Sequence, residues 1–456
     1  MGSKSAADAD RAHLIRGFSN LSDRHLHDPV VIDRGKGVWV WDEDGKPYLE
    51  AVAGMWCTSL GFGEEELVQA AVDQLRKLPY YHTLTNKTVG PAAELAEKLT
   101  DLVPMRDAKV HLTASGSEAN DFLVKFLRFR ANAVGETQRK TMISRVNAYH
   151  GATLAASSLT GIPNMHRLFD LPLDGFLHVT DPHHYRNAEP GESRDDFGLR
   201  LARELDEVIQ RVGPETIAGF LAEPVTGGGG VIVPPPTYYP AVQDVLDSCG
   251  IPFCVDEVIN GFGRTGSWFG AQTFGIAPGA MTLGKGLSSA YQPIAALVVS
   301  ADIYEGMEKG SDEVGTFAHG ATYSGHPVAA AVALRTIELM QERDVIGHVQ
   351  RVMPRFEARL NAFADHPLVG DVRVCGLMGG IELVTDKATK GRFDPVGKAS
   401  ATVQRTAHEH GVIVRGIGVS ETVAFSPPLI ITEAEIDELF DRVSAALDDA
   451  AAILLH

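Results

Sequence analysis

The sequence predicts an α/β protein with two parts. One is a large region built on a mostly parallel sheet with helices on both faces; the other is a smaller α+β region. Three observations predict it. Short apolar runs recur through the middle of the chain, in KVHLTASGS, TMISRVNAYHG, IAGFLAEPV, PFCVDEVI and PIAALVVS, each ending in small or polar residues. Helical patterns lie between several of them. Near-continuous apolar runs mark strands covered on both faces, as a parallel sheet with crossover helices requires. From about His326 the texture changes to long helices and short strands.

The elements follow in order. The opening MGSKSAADADRAH is polar and lacks the apolar segment of a secretory signal. It begins Met-Gly, but position 6 is Ala6, so the myristoylation pattern fails. GVWVWDEDGKPYLEA alternates large apolar residues around a turn at Asp44-Gly45 and reads as strands. A helical pattern runs from about Glu64 to Leu78. After the central runs, PVAAAVALRTIELMQERD predicts a long helix, GLMGGIELV and VIVRGIG predict strands, and EAEIDELFDRVSAALDDAAAIL predicts a closing helix. Residues 1–60 are an arm and part of the smaller domain, 61–325 the large domain, and 326–456 the remainder of the smaller one.

Composition narrows the function. The 456 residues are 44% hydrophobic, enough for a substantial core, and the net charge of −18 argues against binding nucleic acid or anionic membranes. No apolar run approaches a membrane span. Cys57, Cys249, Cys254 and Cys375 form no C-x-x-C pair, and no His/Cys cluster has zinc spacing, so no metal is expected. Reduced thiols and a cytoplasmic location are the simplest expectation.

In parallel sheets working residues gather beyond the carboxyl ends of the strands, so the polar residues after each run are expected on one rim. One such stretch, VDEVINGFGRTG, spells G-x-G-x-x-G from Gly261 to Gly266, the written form of a dinucleotide fingerprint. The context fails. A strand precedes it, but the following GSWFGAQTFGIAPGA has no helical period, and no acid occurs between Glu257 and Asp302 to hold a ribose. A nicotinamide enzyme is therefore disfavoured.

Other rim residues suit another cofactor. Ser115-Gly116-Ser117 lies between a strand and a helix starting near Ser117 or Glu118, where free N–H groups and hydroxyls can cup a phosphate. Alone, the same residues read first as an ordinary Ser N-cap with Glu118 in the first turn. Asp256 ends an apolar strand, where a carboxylate needs a cationic partner. Lys285 stands between two glycines in an apolar stretch; a lysine in a dry loop becomes an imine-forming nucleophile, whereas in an open loop it is merely solvated. An anion cup, a lysine and a carboxylate together match the phosphate, aldehyde and pyridine nitrogen of pyridoxal phosphate.

These motifs, with NAYHGAT, AEPVTGGGGVIVPP, TLGKGLSS and HGATYSGHPVAAAVAL, resemble the class III (ω-) aminotransferases of pyridoxal-phosphate fold type I over most of the chain. Within the class the sequence resembles the amine–pyruvate and putrescine–pyruvate group. The resemblance implies a seven-stranded, mostly parallel sheet and pyridoxal 5′-phosphate bound as an imine to Lys285, which also moves the proton at the substrate carbon. It implies Asp256 on the pyridine nitrogen, Tyr149 and Val258 on the two ring faces, and Ser115, Gly116 and Ser117 at the phosphate. His150 and Glu223 stand beside the cofactor. Thr322 would reach the phosphate of a neighbouring subunit, making a homodimer or a tetramer with shared sites.

Small-molecule amines and keto acids are the implied partners. Trp56 resembles the aromatic wall of the amine pocket, or else is a core tryptophan on an apolar strand. Arg415 resembles the arginine that takes a substrate carboxylate, or else makes a structural ion pair. Leu84 and Ala321 stand where relatives commonly carry Phe, and Gly228 fills a variable position, so all three reduce side-chain volume and imply a roomier pocket. Phe18 is a candidate aromatic cap from the N-terminal arm. The same cofactor residues would also serve a β-alanine or γ-aminobutyrate transaminase.

Overall fold

The computed structural model describes residues 5–22 and 29–455. The Met1-Gly2 start lies outside these residues. The central sheet has seven strands, in the order Lys109–Thr113, Ala295–Val299, Ala280–Leu283, Phe253–Asp256, Ile217–Ala222, Thr141–Arg145 and Phe176–Val179. All pairings are parallel except those of Ala295–Val299, which runs against both of its neighbours. This is the fold type I sheet. Ile217–Ala222 and Phe253–Asp256 are buried at every position, which is why they read as unbroken apolar runs.

Two strands were not singled out by the pattern. Phe176–Val179 and Ala280–Leu283 are short, and His178 and Thr282 interrupt their apolar runs. The single-rim expectation also needs correction. Because Ala295–Val299 is reversed, the Ser300 that follows it lies at the opposite edge, donating its N–H to Gly279 O. The residues before that strand, Gln292 to Ile294, reach the working rim instead.

Two further four-stranded sheets flank this core. Ile32–Lys36, Trp39–Asp42 and Pro47–Glu50 form a meander joined by Val412–Ile413. Val369–Cys375, Met378–Leu383, Thr422–Phe425 and Arg415–Ile417 form the other. VIVRGIG is therefore not one strand. It changes sheets at Val414, pairing with Leu49 and Glu50 on one side and with Ala424, Val423 and Thr422 on the other. The helices Glu65–Lys77, Pro327–Glu342 and Glu433–Leu454 lie where the 3.6-residue pattern puts them. Among the described residues no helix is long and apolar enough to cross a membrane.

The GFGRTG loop is a packing turn. Gly263 and Gly266 have φ of +93° and +88°, conformations that favour glycine. A Cβ on Gly263 would press against Leu429, and one on Gly266 against Met353, so the loop packs on the C-terminal third. The following stretch does contain a helix, Gly270–Phe274, but it is five residues long. Its first N–H groups are taken by the buried Glu257, from Gly270 at 2.9 Å and Ala271 at 2.6 Å.

Candidate active site

The carboxyl ends of the parallel strands enclose a cavity of about 430 Å³, lined by Ser115 to Ser117, Tyr149, His150, Glu223, Asp256, Val258 and Lys285. Asp256, 3% exposed, ends its strand and forms the floor. Its Oδ2 accepts from Asn120 Nδ2 at 2.9 Å and lies 2.8 Å from His150 Nδ1, while its Oδ1 accepts the Val258 N–H at 3.0 Å. Three donors thus satisfy the carboxylate from within the chain. Asn120 escaped the sequence reading because, mid-helix, it looks like any polar residue. It also donates to His150 O at 2.7 Å, tying helix Gly116–Ala133 to the Tyr149 loop.

Lys285 begins a short 3₁₀ turn directly after Ala280–Leu283, with φ of +44°. Such a backbone costs a non-glycine residue about 1–3 kcal/mol and collects at functional sites. Burial pushes the Lys285 amine below the ordinary lysine range, against the opposing pull of Asp256, Cys57 and Glu223. Glu223, 2% exposed, is pushed above the ordinary carboxylate range by burial. It accepts the N–H groups of Tyr149 at 3.0 Å and Gly227 at 2.9 Å. Those bonds hold the Tyr149 loop and the glycine turn against each other.

The Ser115 hydroxyl serves as an N-cap, accepting Glu118 N–H at 3.2 Å, while Glu118 accepts Ala114 N–H at 2.8 Å. The helix begins at Gly116, slightly earlier than the sequence suggests. That leaves the Gly116 and Ser117 N–H groups in its first turn without intrahelical acceptors, facing the cavity. The space is shaped by missing side chains. A Cβ on Gly116 would lie 3.0 Å from Val258 Cγ2, and one on Gly151 2.6 Å from Ser117 Oγ. An anion cup at one end, a carboxylate at the other and a partly dry amine between fit pyridoxal phosphate.

A second cavity, of about 890 Å³, is lined by Phe18, Gly228 and Arg415 together with Ile162, Met165 and Phe169. The Phe18 ring lies 6.4 Å from that of Tyr149 and 5.9 Å from Arg415 Cζ. Arg415 is half-buried, and burial pushes its guanidinium below the ordinary range. Among the described residues it makes no ion pair. Gly228 meets the back of Tyr149: a Cβ there would come 2.9 Å from Tyr149 Cβ.

Trp56 is not on a strand. It ends the kinked turn Ala53–Trp56, has φ of +62° and is 4% exposed. It packs with Ile259, which lines the Lys285 cavity, and Ile417, which lines the Arg415 cavity. Leu84, Ala321 and Thr322 lie away from Lys285 within one chain. Leu84 packs against Gly320 in a separate cavity of about 840 Å³, and the exposed Thr322 accepts the Tyr80 hydroxyl through its carbonyl at 2.8 Å.

A lysine, a carboxylate and a phosphate cup at the strand ends of this sheet define a pyridoxal-phosphate enzyme of fold type I. The chain belongs to the class III aminotransferases, whose sequence profile matches residues 21–447. It is 44% identical to γ-aminobutyrate transaminase 3 of Solanum lycopersicum over 423 residues, covering 92% of this chain and 81% of that one. A thermostable sixfold mutant of the Pseudomonas jessenii ω-transaminase superposes with a TM-score of 0.97 at 46% identity, over 99% of this chain and all of that one. The Vibrio fluvialis aminotransferase with bound PMP superposes with a TM-score of 0.96 at 39% identity, over 99% of both chains.

Proposed function

We propose that the enzyme moves an amino group from a primary amine, bulky ones included, to pyruvate in a ping-pong reaction, giving an aldehyde or ketone and then alanine. The observation that carries this reading is Arg415: a half-buried guanidinium with no carboxylate partner among the described residues, between an aromatic lid and Tyr149. Such a group binds a keto acid through two parallel hydrogen bonds. Bound at this site, pyridoxal phosphate would supply an electron sink for the charge left when the substrate carbon loses its proton. Asp256 would hold the proton on the pyridine nitrogen, kept in place by Asn120 and His150. Lys285 Nζ would hold the aldehyde carbon and, once displaced by substrate, carry the proton at the amine-bearing carbon. Tyr149 and Val258 would grip the ring, and the Gly116 and Ser117 N–H groups the phosphate.

A P. jessenii variant engineered for the synthesis of bulky amines supports the roomy pocket. Its three substituted residues, a Trp, a Phe replaced by Leu, and an Arg, share the chain spacing of Trp56, Leu84 and Arg415. This chain thus carries Leu84 without engineering. Because Leu84, Ala321 and Thr322 sit together outside their own chain's cavity, the reading includes a dimer in which they complete the partner's site. The division at residues 60 and 325 belongs to the same reading.

The γ-aminobutyrate transaminases among the relatives favour an ω-amino acid as the second candidate donor. Alanine formation from pyruvate with a bulky amine, a small amine, putrescine, β-alanine and γ-aminobutyrate tests both. Turnover of the bulky amine above that of γ-aminobutyrate is expected; activity with ω-amino acids alone would overturn the amine reading.

A further inference from the structure

The glycine turn behind Tyr149 is held from outside by a residue with no part in cofactor chemistry. Arg373, 8% exposed, projects from strand Val369–Cys375. Its Nε and Nη2 donate to Gly230 O at 3.1 and 2.7 Å, and Nη2 also donates to Thr422 Oγ1 at 2.9 Å. Its Nη1 lies 2.6 Å from Asp371, 2.7 Å from Glu382 and 2.9 Å from His183 Nε2. His183, Asp371 and Glu382 could by spacing hold a metal ion, but the guanidinium already occupies the cationic position among them. Arg186 braces Glu382 from the other side at 2.5 Å.

What Arg373 joins is informative. Gly230 closes the turn that carries Gly228, one wall of the Phe18–Arg415 cavity. Thr422 begins the strand that pairs with Arg415–Ile417, the opposite wall. The turn has no slack. A Cβ on Gly229 would lie 2.2 Å from Asn147 O, and one on Gly230 2.5 Å from Ser420 Oγ. Gly380 stands directly across from Arg373 on the neighbouring strand, where a Cβ would come 3.3 Å from Gly230 O, so a side chain there would crowd the acceptor.

We propose that Arg373 is a positioning residue that sets the spacing between Gly228 and Arg415, and so decides which substrates the mouth of the site accepts. The guanidinium is a rigid fork whose Nη2 bonds both walls while Nη1 engages Asp371 and Glu382; a lysine in its place keeps the charge, but its single nitrogen cannot serve both walls and both carboxylates at once. This rests on the proposed role of Arg415, and the test separates the two.

In Arg373→Lys the lysine-bound cofactor absorbance should persist, because Lys285, Asp256 and His150 are untouched. KM for pyruvate should rise about tenfold, as expected for one lost hydrogen bond to a charged group. The kcat should stay within about twofold of wild type, and the ratio of bulky to small amine turnover should change. Thr422→Val removes the Arg373 contact, and the Thr422 Oγ1 contacts with Ser420, at constant shape, and should act in the same direction, more weakly. Either folded variant showing a lower Tm but an unchanged KM and donor ratio would reduce Arg373 to a structural role and overturn the proposal. Crystal structures supply a readout free of activity: a Gly228–Arg415 separation that differs from wild type in Arg373→Lys supports it, and an unchanged one refutes it, even if wild type rejects pyruvate.

Discussion

The floor and the mouth of the site are built in opposite ways. At the floor, Asp256 is 3% exposed, and three donors from three segments bond its two oxygens. Every side chain there comes from the ends of neighbouring strands or the helix they feed. At the mouth, Phe18 is 75% exposed and Arg415 has no acidic partner among the described residues, and they come from opposite ends of the chain. The floor keeps a buried charge in one orientation, which is what a group acting in every turnover must do. In the proposed reading the mouth offers a cation that a substrate carboxylate would pair, which is what selection between substrates requires.

Mutations should follow that contrast. Lys285→Ala should have the largest effect, lowering turnover by at least about 10²–10⁴-fold, the range for a lost acid–base group, and erasing the lysine-bound absorbance. Full activity would sink the site assignment. Next is Asp256→Ala, which strands His150 and Asn120 and should cut kcat by about 10²–10⁴-fold if the about 3–5 kcal/mol lost on breaking one side of a buried charged contact falls on the reacting state. His150→Ala should cost about tenfold, one hydrogen bond to a charged group.

At the mouth the effect should move from kcat to KM. Arg415→Leu should raise KM for pyruvate about 10–100-fold while leaving KM for an uncharged-tail amine nearly constant. Equal losses for both substrates in steady-state kinetics would erase the distinction between floor and mouth.

The smallest effect concerns stability. Glu50, 5% exposed, accepts Val52 N–H at 2.8 Å beneath the turn that ends in Trp56, and burial pushes its pKa up from 4.5 to about 7. A folded pKa above the unfolded one means the fold favours the protonated form. Glu50's contribution to stability is therefore fully present below about pH 4.5 and is lost as pH rises through about 7. Glu50→Gln, neutral throughout, should gain about 1–3 kcal/mol over wild type at pH 8 and lose that advantage below pH 4.5. Parallel Tm–pH curves for the two proteins would contradict this.

Lys285 and Asp256 were legible because each breaks a local pattern: a lone cation between glycines, and an acid ending an unbroken apolar strand. Ser115 was legible too, though its hydroxyl went to capping the helix rather than facing only the cavity. Asn120 and Arg373 were not, since nothing around them in the chain distinguishes a buried anchor from a solvated residue. The split of VIVRGIG between two sheets was hidden for a related reason. A continuous apolar run says that both halves are buried, not which neighbour each half meets.

The sequence by itself determined the chemistry: which strands are buried, where the lysine and carboxylate stand, and that the cofactor is pyridoxal phosphate rather than a dinucleotide. Tertiary structure alone decided the geometry of selection. It brought Phe18 to Arg415, locked the glycine turn between Asn147 and Ser420, and placed Arg373 across both walls. Local pattern reports burial and period, which neighbouring residues share. Contacts between segments hundreds of residues apart depend on how three sheets pack, and no local window contains that.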